Sequence, residues 1–315
     1  MELQIWQNDW GLPSIDVDCL VVLAYAAFSK APLKKVNNSN PFTSPIGHFP
    51  VLKDDDGSII SSSERIVTYL RRKNYNADYT LNSSQCSEAL AYASLVKEKL
   101  VPAAQHLWWI DAKNYAEFSR PYYFRAIPFP FRFYYPSQFE ATAKDLVNAT
   151  YPGDLEDTTI ETAVYKSAEE CLNHLSCRLG EKDYFFGSVP SYLDAVVFAH
   201  LAPLLKAPFP SSALQGYLKS CPNLTKFVSR ILNRFFQKDS QEYEEKKKKE
   251  SASTSTTSDK DSFPNQRRHV ILSVIAALFG MGFYAFANGM VQFGSSQNDD
   301  EYDEELEEEI EEELE

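Results

Sequence analysis

No Lys or Arg occurs before Lys30, whereas Glu2, Asp9, Asp16 and Asp18 all do. A secretory signal needs a basic start and a mitochondrial presequence needs arginine without acids, so neither is expected at this N-terminus. Cysteine is sparse: Cys19, Cys86, Cys171, Cys177 and Cys221 are odd in number and form no C-x-x-C pair. That argues against a disulfide framework and against a zinc site, and buried thiols in a reducing compartment are expected. His48, His106, His174, His200 and His269 lack metal-ligand spacing. A Gly-rich phosphate loop and a G-x-S-x-G elbow are both missing. No catalytic residue, cofactor or metal is therefore expected.

Clustered basic charge is also lacking. Of the 44 acidic residues, 13 fall between Asp299 and Glu315, where no Lys or Arg occurs. Residues 1–298 thus hold 31 acids against 31 bases, a neutral body ahead of a polyacidic tail. A neutral body makes a poor nucleic-acid binder, because phosphate binding depends on grouped Lys and Arg. With 44% hydrophobic and 14% aromatic residues, that body can still bury a sizeable core.

One stretch lacks charge altogether. From Val270 to Asn298 there is no Asp, Glu, Lys or Arg, and Val270–Phe293 is almost continuously apolar. As a helix it would span roughly 36 Å, enough for a hydrocarbon core of about 30 Å. A transmembrane helix over 269–293 is expected, with Val270, Ile271, Leu272, Val274, Ile275, Leu278, Phe279, Phe283 and Phe286 facing membrane lipid. Arg267 and Arg268, with Lys246–Lys249 upstream, lie on its N-terminal side. The positive-inside tendency then leaves the body in the cytosol and the acidic tail (294–315) across the membrane. Gly280, Gly282 and Gly289 moderate the apolarity, which favours the mitochondrial outer membrane over the endoplasmic reticulum.

In the body, Leu3–Trp6, Lys34–Val36, His48–Leu52 and Ser58–Ile60 read as short strands, the third with Pro50 inside it. Val17, Leu20, Val21, Ala24 and Phe28 recur at helical spacing, preceded by Pro13 and Ser14. Ser61 and Glu64 read as a capping box opening the helix Arg65–Arg72. From Ser83 the pattern is helical. Leu90, Ala93, Val96, Leu100 and Leu107 share a face with a kink expected at Pro102. Further helices carry Ile160 to Leu179, closed by Gly180, then Ala195–Leu205 behind a Ser191/Asp194 box, then Leu224 to Phe235. Residues 239–268, with their E/K and S/T runs, read as a disordered linker.

The stretch Phe118–Phe139 is unusually aromatic and carries Pro121, Pro128, Pro130 and Pro136, which argues for a loop over a long helix. Its rings either pack onto the helical core or form a docking surface, since aromatics and Arg dominate interface hot spots. The residues expected to form such a partner surface are Phe124, Phe129, Phe131, Phe133, Tyr134 and Tyr135.

The order strand, helix, strand, loop, strand, strand, helix, then all helix, is similar to the glutathione-transferase plan. Phe49–Leu52, Ile59–Leu70 and Tyr184–Leu204 resemble that family's landmarks. More narrowly, Trp10–Lys34, Arg71–Leu81, Leu95–Tyr115, Ile127–Pro136 and Ala168–Gly180 resemble the metaxin family, in its membrane-anchored form. The resemblance implies a thioredoxin-like α/β domain over 1–75 and an all-α glutathione-transferase-like domain over 76–238. It also implies a non-catalytic subunit of the mitochondrial sorting and assembly machinery, working with a metaxin 2-type subunit and a β-barrel insertase.

A transferase activates the glutathione thiol with a Tyr, Ser or Cys near the first helix N-terminus. The corresponding turn here is Asn8–Ser14, where Ser14 is the sole hydroxyl and Asp9 opposes an anionic thiolate. The acidic-Ser pair that holds glutathione is replaced by Ser62–Ser63, with Arg65 where a small residue is usual. Two alternatives to the scaffold reading stand at this point: a membrane-tethered glutathione-dependent enzyme using Ser14, and an outer-membrane adaptor for organelle transport.

Overall fold

The computed structural model describes residues 1–151 and 157–254. It opens with β1 (Glu2–Ile5), α1 (Val17–Ser29), β2 (Lys34–Asn37), β3 (Val51–Lys53), β4 (Ile59–Ser61) and α2 (Ser63–Arg72). The four strands lie in the order β2-β1-β3-β4; β1 runs parallel to β2 and antiparallel to β3, and β4 is antiparallel to β3. Leu3 and Ile5 alternate inward along β1 and are fully buried, as a half-buried strand of period two requires. Pro50 lies just outside β3, after a cis peptide bond from Phe49, so the strand begins later than its apolar run.

Helix α1 buries Cys19 through Tyr25 without interruption. It packs against α2 and against α9 (Tyr192–Lys206), and a helix buried over so much of its girth belongs between layers. Each fully buried Leu or Val there contributes roughly 1.5–3 kcal/mol. Asp16 caps α1 by accepting the Cys19 N–H at 2.8 Å.

The helical part continues with α3 (Ser83–Leu95), α4 (Val101–Gln105), α5 (Ala112–Asn114), α6 (Arg120–Ala126), α7 (Tyr135–Thr150) and α8 (Asp157–Leu179). After α9 come α10 (Ala213–Lys219), α11 (Pro222–Phe235) and α12 (Gln237–Thr254). Wide π-turns occupy Val96–Leu100, His106–Ile110 and Tyr115–Ser119. The first and third immediately precede Pro102 and Pro121, so each enlarged turn takes up the clash a proline ring makes with the carbonyl four residues back.

Asp78 ties the sheet layer to the helical layer. Arg71 donates to its Oδ2 at 2.8 Å and the Tyr192 N–H to its Oδ1 at 2.7 Å. Arg71 also donates to the Tyr25 hydroxyl at 3.2 Å, so α1, α2 and α9 meet at one polar knot. The Ser191/Asp194 capping box is present, and Asp194 accepts the Phe185 N–H as well. The chain divides into Met1–Ser251 and Ala252–Glu315. The sheet and the helices, expected to meet between residues 75 and 76, therefore share one unit.

Four sequence expectations need correction. The Ser61/Glu64 capping box does not form, because Ser61 is paired with Val51 in the sheet and α2 starts at Ser63 behind Ser62 at φ +83°. Leu90 is exposed; the buried line of α3 runs through Ala89 instead, one position round the helix, and α9 packs on that helix. The proline-rich stretch is not a single loop: Pro121 lies in the helical run that the π-turn at Tyr115–Ser119 carries into α6, and Pro136 sits in the first turn of α7, where a missing N–H costs nothing. Finally, the linker expected from residue 239 begins as α12. Glu242/Lys246, Glu244/Lys248 and Glu245/Lys249 place acids four residues ahead of bases, the favourable order on a helix.

Among the described residues no helix is long and apolar enough to cross a membrane. The segment Val270–Phe293, with Arg267, Arg268 and the acidic tail, lies outside the described residues.

Candidate functional site

The turn at the head of α1 is closed by its own side chains. Leu12 N–H bonds to Asp9 O at 2.8 Å, with Trp10 and Gly11 both at positive φ. Ser14 is fully buried; its hydroxyl donates to Trp6 O at 3.0 Å and accepts from Asp16 N–H at 3.3 Å. It is neither the helix cap nor open to a ligand. Asp9 is likewise engaged: its Oδ1 accepts the Trp10 N–H at 2.8 Å and its Oδ2 the Tyr122 hydroxyl at 2.9 Å. Burial, then the Asp9 carboxylate, push the Tyr122 phenol well above its ordinary range. Ser63, one of the pair expected where glutathione would be gripped, donates to Asp18 Oδ1 at 2.5 Å. Burial also raises the Cys19 thiol well above its usual value, which leaves it a poor nucleophile.

From outside, α12 lies across this turn. Ser240 Oγ donates to Gly11 O at 3.1 Å, and Asp239 pairs with Lys35 of β2 at 2.9 Å. A Cβ on Gly11 would sit 3.8 Å from Ser240 and Tyr243. A cavity of about 130 Å³ remains between the turn and α12, bordered by Asp9, Asp239, Glu242 and Lys246. Ligand pockets are commonly some 300–1,000 Å³, so a tripeptide thiol has little room here. Among the described residues no group of three His, Cys, Asp or Glu could hold a metal ion.

The aromatic stretch splits in two. Its inner half is core: Tyr123 packs on Trp6 and Trp109, and Phe118 on Trp10 and Phe209. Of the residues expected on a partner surface, Tyr135 belongs with these, at 8% exposure, because it opens α7 against Phe139. Phe124 and Phe131 are half-buried. Phe129, Phe133 and Tyr134 stand out at 73, 64 and 61% exposure on the connection between α6 and α7. Beside them the sequence reading overlooked Phe42, which stacks on Phe131 at 4.6 Å while remaining 66% exposed. A bulky apolar residue in a Pro/Asn/Ser loop was the available signal.

The Metaxin-1 of Mus musculus is 42% identical to this chain over 294 residues, 92% of this chain and 91% of that protein. The chain belongs to the metaxin family. The Metaxin-3 of Xenopus laevis is 44% identical over 241 residues, 76% of this chain and 78% of that protein. A family model described as "Outer mitochondrial membrane transport complex protein" (Tom37) matches residues 19–140, and a glutathione S-transferase C-terminal domain matches 168–231. These findings indicate a metaxin of a mitochondrial outer-membrane transport complex. Among solved structures, a glutathione S-transferase of Ceriporiopsis subvermispora is 15% identical with a TM-score of 0.51, over 74% of this chain and 96% of that one. A β-etherase of a Sphingobium strain is 17% identical with a TM-score of 0.50, over 78% and 98%. At these identities the likeness is one of fold.

Proposed function

We propose that this metaxin is a non-catalytic, tail-anchored subunit of the mitochondrial outer-membrane sorting and assembly machinery, aiding import and assembly of β-barrel proteins. The observation that carries the reading is the closed thiol site on a transferase-like body. Ser14 and Ser63 spend their hydroxyls within the chain, and α12 covers the turn. The scaffold keeps the transferase fold and leaves its outer surface, including the exposed aromatics, for partners. A metaxin 2-type subunit and a β-barrel insertase are the partners proposed.

Anchoring rests on Val270–Phe293, with the body facing the cytosol and the acidic tail in the intermembrane space. A matched stretch covering 92% of the chain must run into that apolar segment, so the likeness to Metaxin-1 extends into the proposed anchor. Depleting the protein is expected to lower assembly of outer-membrane β-barrel proteins in isolated mitochondria. Normal assembly with partner subunits intact would overturn the reading. Calorimetry separates the enzymatic alternative: glutathione binding at physiological concentration, abolished by Ser14→Ala, would restore it.

A further inference from the structure

Between α6 and α7 lies a guanidinium with an unfilled donor. Arg132 is half-buried, its Nε is sealed from solvent, and that atom has no hydrogen-bond partner. Its Cζ lies 5.3 Å from the centre of the Phe124 ring. Neither Arg125 nor Arg132 has an ion-pair partner among the described residues. No partner atom reaches the sealed Nε, but the half-buried guanidinium keeps its terminal nitrogens for a ligand.

The surroundings are one-sided in charge. Phe118–Phe139 contains three Arg and no Asp, Glu or Lys, and the facing loop Asn37–Gly47 has no charged residue. Phe129, Phe133 and Tyr134 project beside Arg132, and Phe42 stacks on Phe131 from the opposite loop. Arg120 feels the Glu140 carboxylate, but Arg132 is set beside exposed rings with no ion-pair acid of its own among the described residues.

We propose that this surface binds a partner-protein segment in which carboxylates alternate with bulky apolar side chains. The proposal deepens the partner-docking reading above and rests on it. A carboxylate matches the guanidinium fork in charge and geometry, and one pairing can fill two donors. Apolar neighbours on the same segment cover the rings and remove water from the ion pair, which strengthens it. A purely apolar segment would leave Arg132 unfilled; a purely acidic one would leave the rings wet. An anionic bilayer also offers charge beside hydrocarbon. The facing loop, however, rims the rings with the hydrogen-bonded Asn38, Asn40 and Thr43, and such a polar rim suits a protein segment better than hydrocarbon.

The test uses the full chain in micelles of neutral detergent, titrated with a fluorescently labelled peptide of alternating Glu and Phe. A Lys–Phe peptide and vesicles of phosphatidylcholine with phosphatidylglycerol are run beside it. The acidic peptide should bind, the basic one should not, and Arg132→Gln should weaken binding at least about tenfold, the scale for removing one partner of a desolvated charge pair. Arg132→Lys keeps the charge without the planar fork and should fall between. Phe129→Ser, at a largely exposed position, is the variant that leaves folding intact and should also weaken binding. Equal binding of both peptides, or an unchanged affinity in Arg132→Gln, would overturn the proposal. So would binding to anionic vesicles with none to the peptide. A chain that supports β-barrel assembly yet ignores the acidic peptide overturns this proposal alone.

Discussion

Ser240 and Gly11 lie 229 positions apart, yet the Ser240 hydroxyl donates to the Gly11 carbonyl at 3.1 Å. With the Lys35–Asp239 pair, this bond holds the start of α12 on the turn where a transferase would activate its thiol. Gly11 suits the contact twice over: its φ of +75° is one that L side chains rarely adopt, and its bare Cα admits Ser240 and Tyr243 closely.

The hold on α12 is therefore predicted to be electrostatic in part. Asp239 is nearly buried while Lys35 is about half exposed, so the pair is worth about 0.5–1 kcal/mol. Lys35→Glu or Asp239→Lys alone should speed amide exchange and proteolysis across residues 237–249, and the double swap should slow both again. Exchange that is unchanged in the single variants would show that α12 is held by other contacts.

A second prediction concerns pH. Burial, then the neighbouring Asp18 carboxylate, raise Asp16 from its ordinary 3.8 to about 7. The folded state thus favours the protonated acid more than the unfolded chain does. Its stabilising effect is complete below about 4 and is lost as pH rises through about 7. Cys19 and Tyr123, also nearby, are both pushed well above their usual values and stay neutral in that window. Asp16→Asn keeps a capping oxygen for the Cys19 N–H while removing the titration. Between pH 5 and 8 the wild-type unfolding free energy should fall relative to the variant by about 1–2 kcal/mol after solvent screening, read from urea melts at each pH. Parallel pH profiles would refute it.

Asp78 should be the most sensitive polar position at the junction of sheet and helices. Its two oxygens separately serve Arg71 and the Tyr192 N–H. Asp78→Ala leaves a half-buried guanidinium and a backbone donor without their acceptor, a loss of about 2–4 kcal/mol. Urea denaturation should show the midpoint moving with little change in slope. Asp78→Asn, which can still accept one bond, should cost less.

What the sequence made legible were the features set by local pattern. Leu3/Ile5 alternation, the helical spacing of Val17 to Phe28 in α1 and the Ser191/Asp194 box each follow from residues close together in the chain. Misreadings arose where a distant partner decided the outcome. Ser61 looked like a cap but is held in the sheet by Val51. The charged run after residue 239 looked like a linker, since nothing local announces the Gly11 turn that receives it. The same holds at the candidate site. Ser14 was visible as the lone hydroxyl, but its sealing by Trp6 O depends on the path of β1. The aromatic stretch was visible as a stretch; which rings face outward was set by where α6 ends and α7 begins.

That division of the aromatic stretch supplies the last prediction. Phe129 and Phe133 are mostly exposed, so Phe129→Ser and Phe133→Ser should change stability by no more than about 0.5 kcal/mol, as for ordinary surface substitutions. Tyr135, six positions from Phe129, is buried against Phe139; Tyr135→Ser should cost about 3 kcal/mol by opening a cavity. If the exposed rings dock a partner subunit, the first two variants should melt normally yet lose co-purifying subunits from detergent-solubilised mitochondria. Tyr135→Ser should instead lower the amount of folded protein, with the remainder still able to bind. Phe129→Ser and Phe133→Ser retaining every subunit at wild-type levels would remove this surface from the assembly, because a few exposed aromatic anchors generally carry most of an interface's energy.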